Sequence, residues 1–264
     1  MCPEMVTKSI GFIGGGRAAR ILLGGWAKSK SLPREIVVSD PDERVLGQLR
    51  ESYPQIVAVP DGNERATSQD IVFLALHPPA IARVGAEVKA AIKPDATIVS
   101  LAPKLTIARL TELFGGFARI ARLIPNAPSI LAAGFNPIAF GAHLPAAERE
   151  VLSELLGKLG ECPVVAEEKL EAYAFTTAMS PTYFWPQLYE LQSLAESFGL
   201  SAKEAREGIW HTMCGLLATM YSSGFDRAAV EDLIPVKPLA ELEPSFRAAY
   251  RTRPPALMEK IRPN

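Results

Sequence analysis

The sequence predicts an α/β chain, with a doubly wound parallel sheet first and an all-helical region after it. Three observations carry that expectation. Short apolar runs alternate with helical patterns as far as Ala166, as they do when strands are joined by helices covering both faces of a parallel sheet. The first run, residues 10–13, passes directly into Gly14, Gly15, Gly16, Arg17, Ala18 and Ala19. From Glu167 onward the strand signals stop, and apolar residues recur at helical spacing, as at Ile209, Met213, Leu216, Leu217 and Met220.

Each element can be justified in order. The first strand ends in a G-x-G-x-x-A turn. Gly14 allows the tight turn, Gly16 lets a pyrophosphate approach the backbone, and Ala19 lets the first helix pack closely on the sheet. The N–H groups and positive dipole end of that helix, starting at Arg17 and Ala18, favour an anion. A dinucleotide is the ligand this arrangement predicts, although a glycine-rich packing turn would also read this way. The second run, 35–39, ends at Asp40, where an acidic residue can bond an adenosine ribose. Asp40 followed by Pro41 also suits a turn that caps the next helix, and Arg44 stands close enough to clamp a 2′-phosphate. NAD and NADP therefore both stay open. Further strands are expected at 55–58, 70–76, 97–101, 118–124, around 136–141 and at 162–165, with helices over 79–92 and 145–159. The expected organisation is a Rossmann-type dinucleotide-binding domain over 1–166 and a helical domain over 167–264.

Composition narrows the class further. Charged residues make up 22% of the 264 residues and the net charge is only −1, so no basic face points to nucleic acid or membrane. Cys2, Cys162 and Cys214 are far apart, odd in number and not spaced with histidines as metal ligands. They read as reduced thiols. The first apolar segment is a strand ending in glycines rather than a signal peptide, and no window is long enough to span a bilayer. A cytoplasmic location is expected. The apolar stripe near 209–220, interrupted by Gly208 and Gly215, reads as a core or a subunit interface. A helical domain of that size often completes its core against a partner, so a homodimer through the C-terminal helices is expected.

Read together, these segments resemble the pyrroline-5-carboxylate reductase family. The carrying motifs are residues 10–19, similar to I-G-F-I-G-G-G-N-M-A; Arg122 to Pro128, R-L-I-P-N-A-P against R-x-M-P-N-T-P; and Val99, Ser100, Leu101, Ala102, Leu105, Thr106, Ile107 and Leu110 against V-S-x-x-A-G-x-T-I-x-x-L. The resemblance implies an N-terminal nucleotide domain, a C-terminal dimerisation domain, and NAD(P)-dependent reduction of an imine in a small substrate. It places Leu76, His77 and Pro78 at the family's V-K-P turn beside the cofactor, and Asn126 in a loop bordering the nicotinamide. Pro125, Asn126 and Pro128 also read as a rigid turn closing a strand.

The departures fall where the family does its chemistry. Its G-S-G-P-A-Y turn corresponds to Ala178, Met179, Ser180, Pro181, Thr182 and Tyr183; its S-P-G-G-T-T turn falls on Ile234, Pro235, Val236, Lys237, Pro238 and Leu239. Where the family carries a threonine beside the substrate, this chain has Pro186, which donates no hydrogen bond. Ser180 and Tyr183 are then the candidate catalytic residues. Two alternatives remain open: a β-hydroxyacid-dehydrogenase-like enzyme, for which Lys169 is the nearest lysine, and a dinucleotide-binding regulator without turnover.

Overall fold

The computed structural model describes residues 8–263. Cys2 and the sequence ahead of Lys8, on which part of the signal-peptide reading rests, lie outside them. The chain opens with β1 (Ile10–Ile13), α1 (Arg17–Lys28), β2 (Ile36–Ser39), α2 (Glu43–Ser52), β3 (Val57–Val59) and α3 (Asn63–Thr67). Next come β4 (Ile71–Leu74), α4 (Pro78–Val88), β5 (Thr97–Ser100), α5 (Ile107–Leu113), β6 (Ile120–Leu123), β7 (Gly134–Phe135), β8 (Ile138–Phe140), α6 (Ala146–Gly157) and β9 (Gly160–Glu161). Helices follow: α7 (Leu170–Tyr173), α8 (Pro181–Ser197), α9 (Ala202–Ser222), α10 (Arg227–Asp232) and α11 (Glu243–Ile261). A π-helical segment, Ala174–Met179, lies ahead of α8. Two compact units result among the described residues, one of residues 8–179 with 258–263, the other of residues 180–257.

Seven strands form one sheet in the order β3-β2-β1-β4-β5-β6-β8. All neighbours are parallel except β6 and β8. The reversed strand departs from the all-parallel expectation because β8 follows β6 with no crossover helix between them, and parallel neighbours need one. The strand expected at 162–165 is a single bridge, Ile138 with Val164, and β9 lies just upstream. Pro163 supplies no N–H to a ladder there.

Strand alternation sorts side chains into two cores. Ile10, Phe12, Ile36, Val38, Phe73, Val99 and Leu123 point to one face, with Leu22, Leu23 and Trp26 of α1, Leu46 and Leu49 of α2, and Leu152, Leu155 and Leu156 of α6. Ile13, Val37, Val72, Leu74, Ile98 and Ile120 point to the other, under Ala66 of α3, Ile81, Val84 and Val88 of α4, and Leu110 of α5. That period of two is what a sheet buried on both sides requires. Trp26 fastens the first core, its indole Nε1 donating to Leu155 O at 2.9 Å, while Phe12 stacks on Phe73 with centroids 5.0 Å apart. The indole is fully buried, so this bond spares it an unsatisfied donor.

At the opposite end of the sheet from the strand tips, Asp70 accepts from Ser9 N at 2.9 Å and Ser9 Oγ at 3.0 Å, and pairs with Lys93 Nζ at 2.8 Å. Partial burial works against the carboxylate, but the Lys93 and Ser9 donors outweigh it and lower the Asp70 pKa. Because the folded value lies below the unfolded one, the stabilisation is present above about pH 4 and is lost as pH falls through the folded pKa. Solvent reaches Lys93 and screens the pair, so Asp70→Asn is expected to cost about 1 kcal/mol at pH 7, roughly 2–4 °C in Tm. Thermal melts should show that gap closing towards pH 3. A gap that persists there would remove the charge from the explanation.

Candidate functional site

The site is built at the carboxyl ends of the strands. Gly14 has φ +98, and a Cβ on it would stand 2.5 Å from Ala75 O just after β4, so only glycine makes this turn from β1 into α1. Gly16 is the N-cap of α1, and a Cβ placed on it meets nothing within 4 Å. The open space at Gly16 faces no protein atom and is what a group approaching the backbone needs. The first α1 bond runs from Arg20 N to Gly16 O at 3.1 Å, so the preceding N–H groups, on Arg17, Ala18 and Ala19, have no acceptor within the helix. No acidic residue stands in that first turn. The dipole end is therefore not compensated from within its own first turn.

A cleft of about 640 Å³ opens in front of this helix, lined by Gly14, Gly16, Arg17, Ala18, Arg20, Asp40, Leu76, His77 and Pro78, and continuing along Leu101, Ala102 and Pro103. A second recess of about 330 Å³ shares Gly14, Leu76 and Ala80 with it and reaches Ser39, Asn63, Arg83 and Glu87. Eight of the twelve residues singled out in the sequence are thus brought to one cleft. Gly15 stands beside it, donating its N–H to Asp40 Oδ2 at 2.8 Å.

Asp40 is fixed from both sides, since its Oδ1 also accepts from Asp42 N at 2.9 Å. The capping that Asp40 was expected to share falls to Asp42, the N-cap of α2, whose carboxylate accepts from Arg44 N. Arg44 pairs its guanidinium with Asp42 at 3.0 Å, and that bond lowers the Asp42 pKa. The carboxylate at the β2 tip is thereby held in place, with the nearby cation engaged on its neighbour.

His77 is the N-cap of α4 without a side-chain cap bond, and Pro78 fills the first helical turn, where a missing N–H is harmless. Asn126 turns inward. Its Oδ1 accepts from Phe135 N and Ser129 Oγ, both at 3.1 Å, and its N–H donates to Asn136 Oδ1. This buried cluster rigidly closes the turn after β6.

Ser180 and Tyr183 belong to the other unit. Ser180 stands as the N-cap of α8, and its carbonyl accepts from Tyr183 N at 2.9 Å. Tyr183 meets Tyr250 edge-on, with ring centroids 5.9 Å apart. Burial raises the Tyr183 pKa, and Tyr250 raises it further, so at neutral pH the phenol is a proton-bearing donor and not a base. Pro186 lies inside α8 and is exposed. The segment 234–239 is irregular, with Ile234 and Val236 in solvent. Cys162 is an inert thiol, its pKa pushed by burial up to about 12.

Sequence reasoning missed Arg20 and the Leu101–Pro103 stretch. Arg20 had a signal, since it follows Arg17 by three residues and shares its helix face. Leu101 and Ala102 stand in the V-S-x-x-A-G-x-T-I-x-x-L likeness, but nothing local brings that loop to the cleft, because which loops meet over a parallel sheet is set by strand order.

A glycine turn feeding a basic helix start, at the switch point of a parallel sheet, defines the Rossmann-type class that binds dinucleotides. A family model described as NADP oxidoreductase, coenzyme F420-dependent, matches residues 9–104. The pyrroline-5-carboxylate reductase of Escherichia coli K12 is 26% identical over 228 residues, 86% of this chain and 84% of its own length. That of Pseudomonas aeruginosa is 28% identical over 225 residues, covering 85% and 82%. Among solved structures, the Plasmodium falciparum pyrroline carboxylate reductase with NADP bound superposes with a TM-score of 0.80 at 19% identity, over 97% of both chains. Over most of its length the chain is thus similar to pyrroline-5-carboxylate reductases, at 26% and 28% identity to these two relatives.

Proposed function

We propose that this protein is an NAD(P)-dependent reductase acting on the C=N bond of a small substrate. The observation that carries the reading is the cradle: an open approach at Gly16 below helix N–H groups, with Arg17 and Arg20 beside it and no acidic residue in the turn. These residues fit a dinucleotide pyrophosphate in shape and in charge. Gly14 to Ala18 hold the pyrophosphate, Asp40 the adenosine ribose, and the turn of Leu76, His77 and Pro78 flanks the middle of the cofactor. Asn126 keeps the end of β6 rigid. When bound, the cofactor supplies the hydride to the imine carbon. The chain orients the substrate and excludes water, and a polar group supports the nitrogen as it takes up a proton. Ser180 and Tyr183 are assigned that last role, Tyr183 because its phenol keeps its proton.

In this reading residues 1–166 bind the dinucleotide, and 167–264 bind substrate and form a homodimer. The relatives' activity, pyrroline-5-carboxylate reduction, suggests a cyclic imine carboxylate, while Pro186 and the altered 178–183 and 234–239 turns indicate that the preferred imine has diverged. The β-hydroxyacid dehydrogenase reading gains nothing from Lys169, which sits exposed at the end of a 3₁₀ turn. The same altered turns favour, as a second reading, a dinucleotide-binding regulator without turnover. The working location proposed is the cytoplasm; among the described residues no helix is long and apolar enough to cross a membrane.

Transfer of deuterium from C4-labelled NADH or NADPH to a panel of cyclic imines tests both readings. Labelled amine supports the reductase. Tight cofactor binding with no transfer to any member of the panel supports the regulator. In the same titrations NADH is expected to bind at least about fivefold more tightly than NADPH, because a 2′-phosphate near the fixed Asp40 carboxylate meets a repulsion of about 1 kcal/mol or more. Asp40→Asn should narrow that ratio. Tighter NADPH binding by the parent would mean that Arg44 leaves Asp42 to take the phosphate.

A further inference from the structure

We propose that Lys104 receives the carboxylate of the substrate at the nicotinamide half of the cleft; this rests on the reductase reading above. The dinucleotide crosses the sheet at the β1–β4 switch point, so the loops after β4 and β5 flank its reactive half. The loop after β5 lines the cleft with Leu101, Ala102 and Pro103, and Lys104 is the next residue. Along the V-S-x-x-A-G-x-T-I-x-x-L pattern, counted from Val99, the glycine position falls on Lys104. The backbone there is still a glycine's backbone, with φ +77.

A non-glycine residue in this region is strained and persists only where its surroundings hold it. They do so here through an ion triad centred on a buried arginine. Lys104 N donates to Glu171 Oε1 at 3.1 Å, and Glu171 is paired with Arg122, itself only 1% exposed. The same guanidinium holds Glu167 at 3.0 Å, and Glu167 accepts from Ile107 N at 2.6 Å. One buried arginine on β6 thus anchors both ends of the 104–107 segment.

The anchor consumes the two carboxylates through Arg122 and backbone N–H groups, leaving neither for the Lys104 ammonium. That side chain is exposed, and among the described residues it has no ion pair. A rigid, strained loop position that presents an unneutralised cation is the wrong place for a lysine if only the turn mattered, since glycine would make the same turn without strain. Lysine is a compact point charge on a four-carbon stem, suited to a single small anion. The pyrophosphate already has Arg17 and Arg20, and the glycines and hydroxyls of the family's S-P-G-G-T-T turn are absent from 234–239 here. A carboxylate adjoining the imine is the anion left to bind.

Calorimetry tests this on the full-length protein saturated with NAD, using pyrrole-2-carboxylate, a planar anion that cannot be reduced, and its uncharged amide. The parent should prefer the carboxylate by about tenfold or more, as for one charge-assisted contact. Lys104→Met and Lys104→Gly should lose the preference, and Lys104→Arg should keep most of it. Lys104→Gly relieves the strain, so its Tm should be no lower than the parent's, and NAD affinity should stay unchanged in all three variants. A parent without preference, or a Lys104→Met variant that keeps it, overturns the assignment. The cofactor titration and the deuterium transfer are read separately, so failure of the reductase reading is distinguishable from failure of Lys104.

Discussion

Gly16→Val is expected to abolish dinucleotide binding while leaving the fold intact. The structure separates the two effects because a Cβ at Gly16 meets no protein atom within 4 Å. The residue's φ of −69 is also open to any side chain. What valine fills is the approach to the N–H groups of Arg17 and Ala18. Charge-assisted bonds to phosphate contribute about 1.5–3 kcal/mol each, so losing two lowers affinity on the order of 100-fold or more. Replacing glycine with valine at an N-cap costs about 1 kcal/mol, a few degrees in Tm for a chain of this size. Circular dichroism should therefore show a folded protein, and calorimetry with NADH and NADPH should show no measurable heat. An unchanged dissociation constant in a folded variant would place the pyrophosphate elsewhere. Gly14→Val is the informative contrast, since with φ +98 and Ala75 O at 2.5 Å the backbone itself must move. It should lose stability and binding together.

The contrast between those glycines shows what a sequence makes legible. Strand alternation is local, so Ile10, Phe12 and Ile13 already declare a sheet buried on two faces, and the G-x-G-x-x-A spacing declares the turn. The direction of β8 was not legible. It depends on the missing crossover helix, and 136–141 reads equally well as a strand of either direction. The double anchoring of Asp40 was also hidden, because the cap residue is one of two aspartates, Asp40 and Asp42, that spacing treats alike. Least visible was the Arg122 triad. Arg122 sits in a strand whose neighbours are apolar, and its partners Glu167 and Glu171 are 45 and 49 residues downstream. Nothing local announces a buried guanidinium; only the packing of α7 over the end of β6 creates it. The departures at 178–183, Pro186 and 234–239 are legible as residue types, since proline donates no hydrogen bond wherever the helix places it.

The second large effect concerns association. Among the described residues of the 180–257 unit, Ala205 is the single one that is buried. Large apolar side chains stand in solvent instead, Phe198 at 82%, Tyr221 at 78% and Tyr189 at 70% exposed. The stripe read from the sequence is among them, with Leu216, Leu217 and Met220 about half exposed on α9. A helical unit with no apolar core of its own, showing a surface of that kind, favours association, and the homodimer proposed above would cover it with a second copy of the same unit by symmetry. Light scattering is therefore expected to report twice the 28.5 kDa chain mass at micromolar concentration. Leu217 and Met220 share a helix face at three-residue spacing. Leu217→Glu with Met220→Glu would bury unpaired charge in the contact, at about 3–5 kcal/mol, and weaken association more than 100-fold. The double variant should scatter as a single chain or as ill-defined aggregates. Gly16→Val, altered in the other unit, should remain a dimer. If the parent is monomeric, or if the double variant associates as the parent does, the α9 face is not the interface, and the exposed apolar surface of the helical unit needs another occupant.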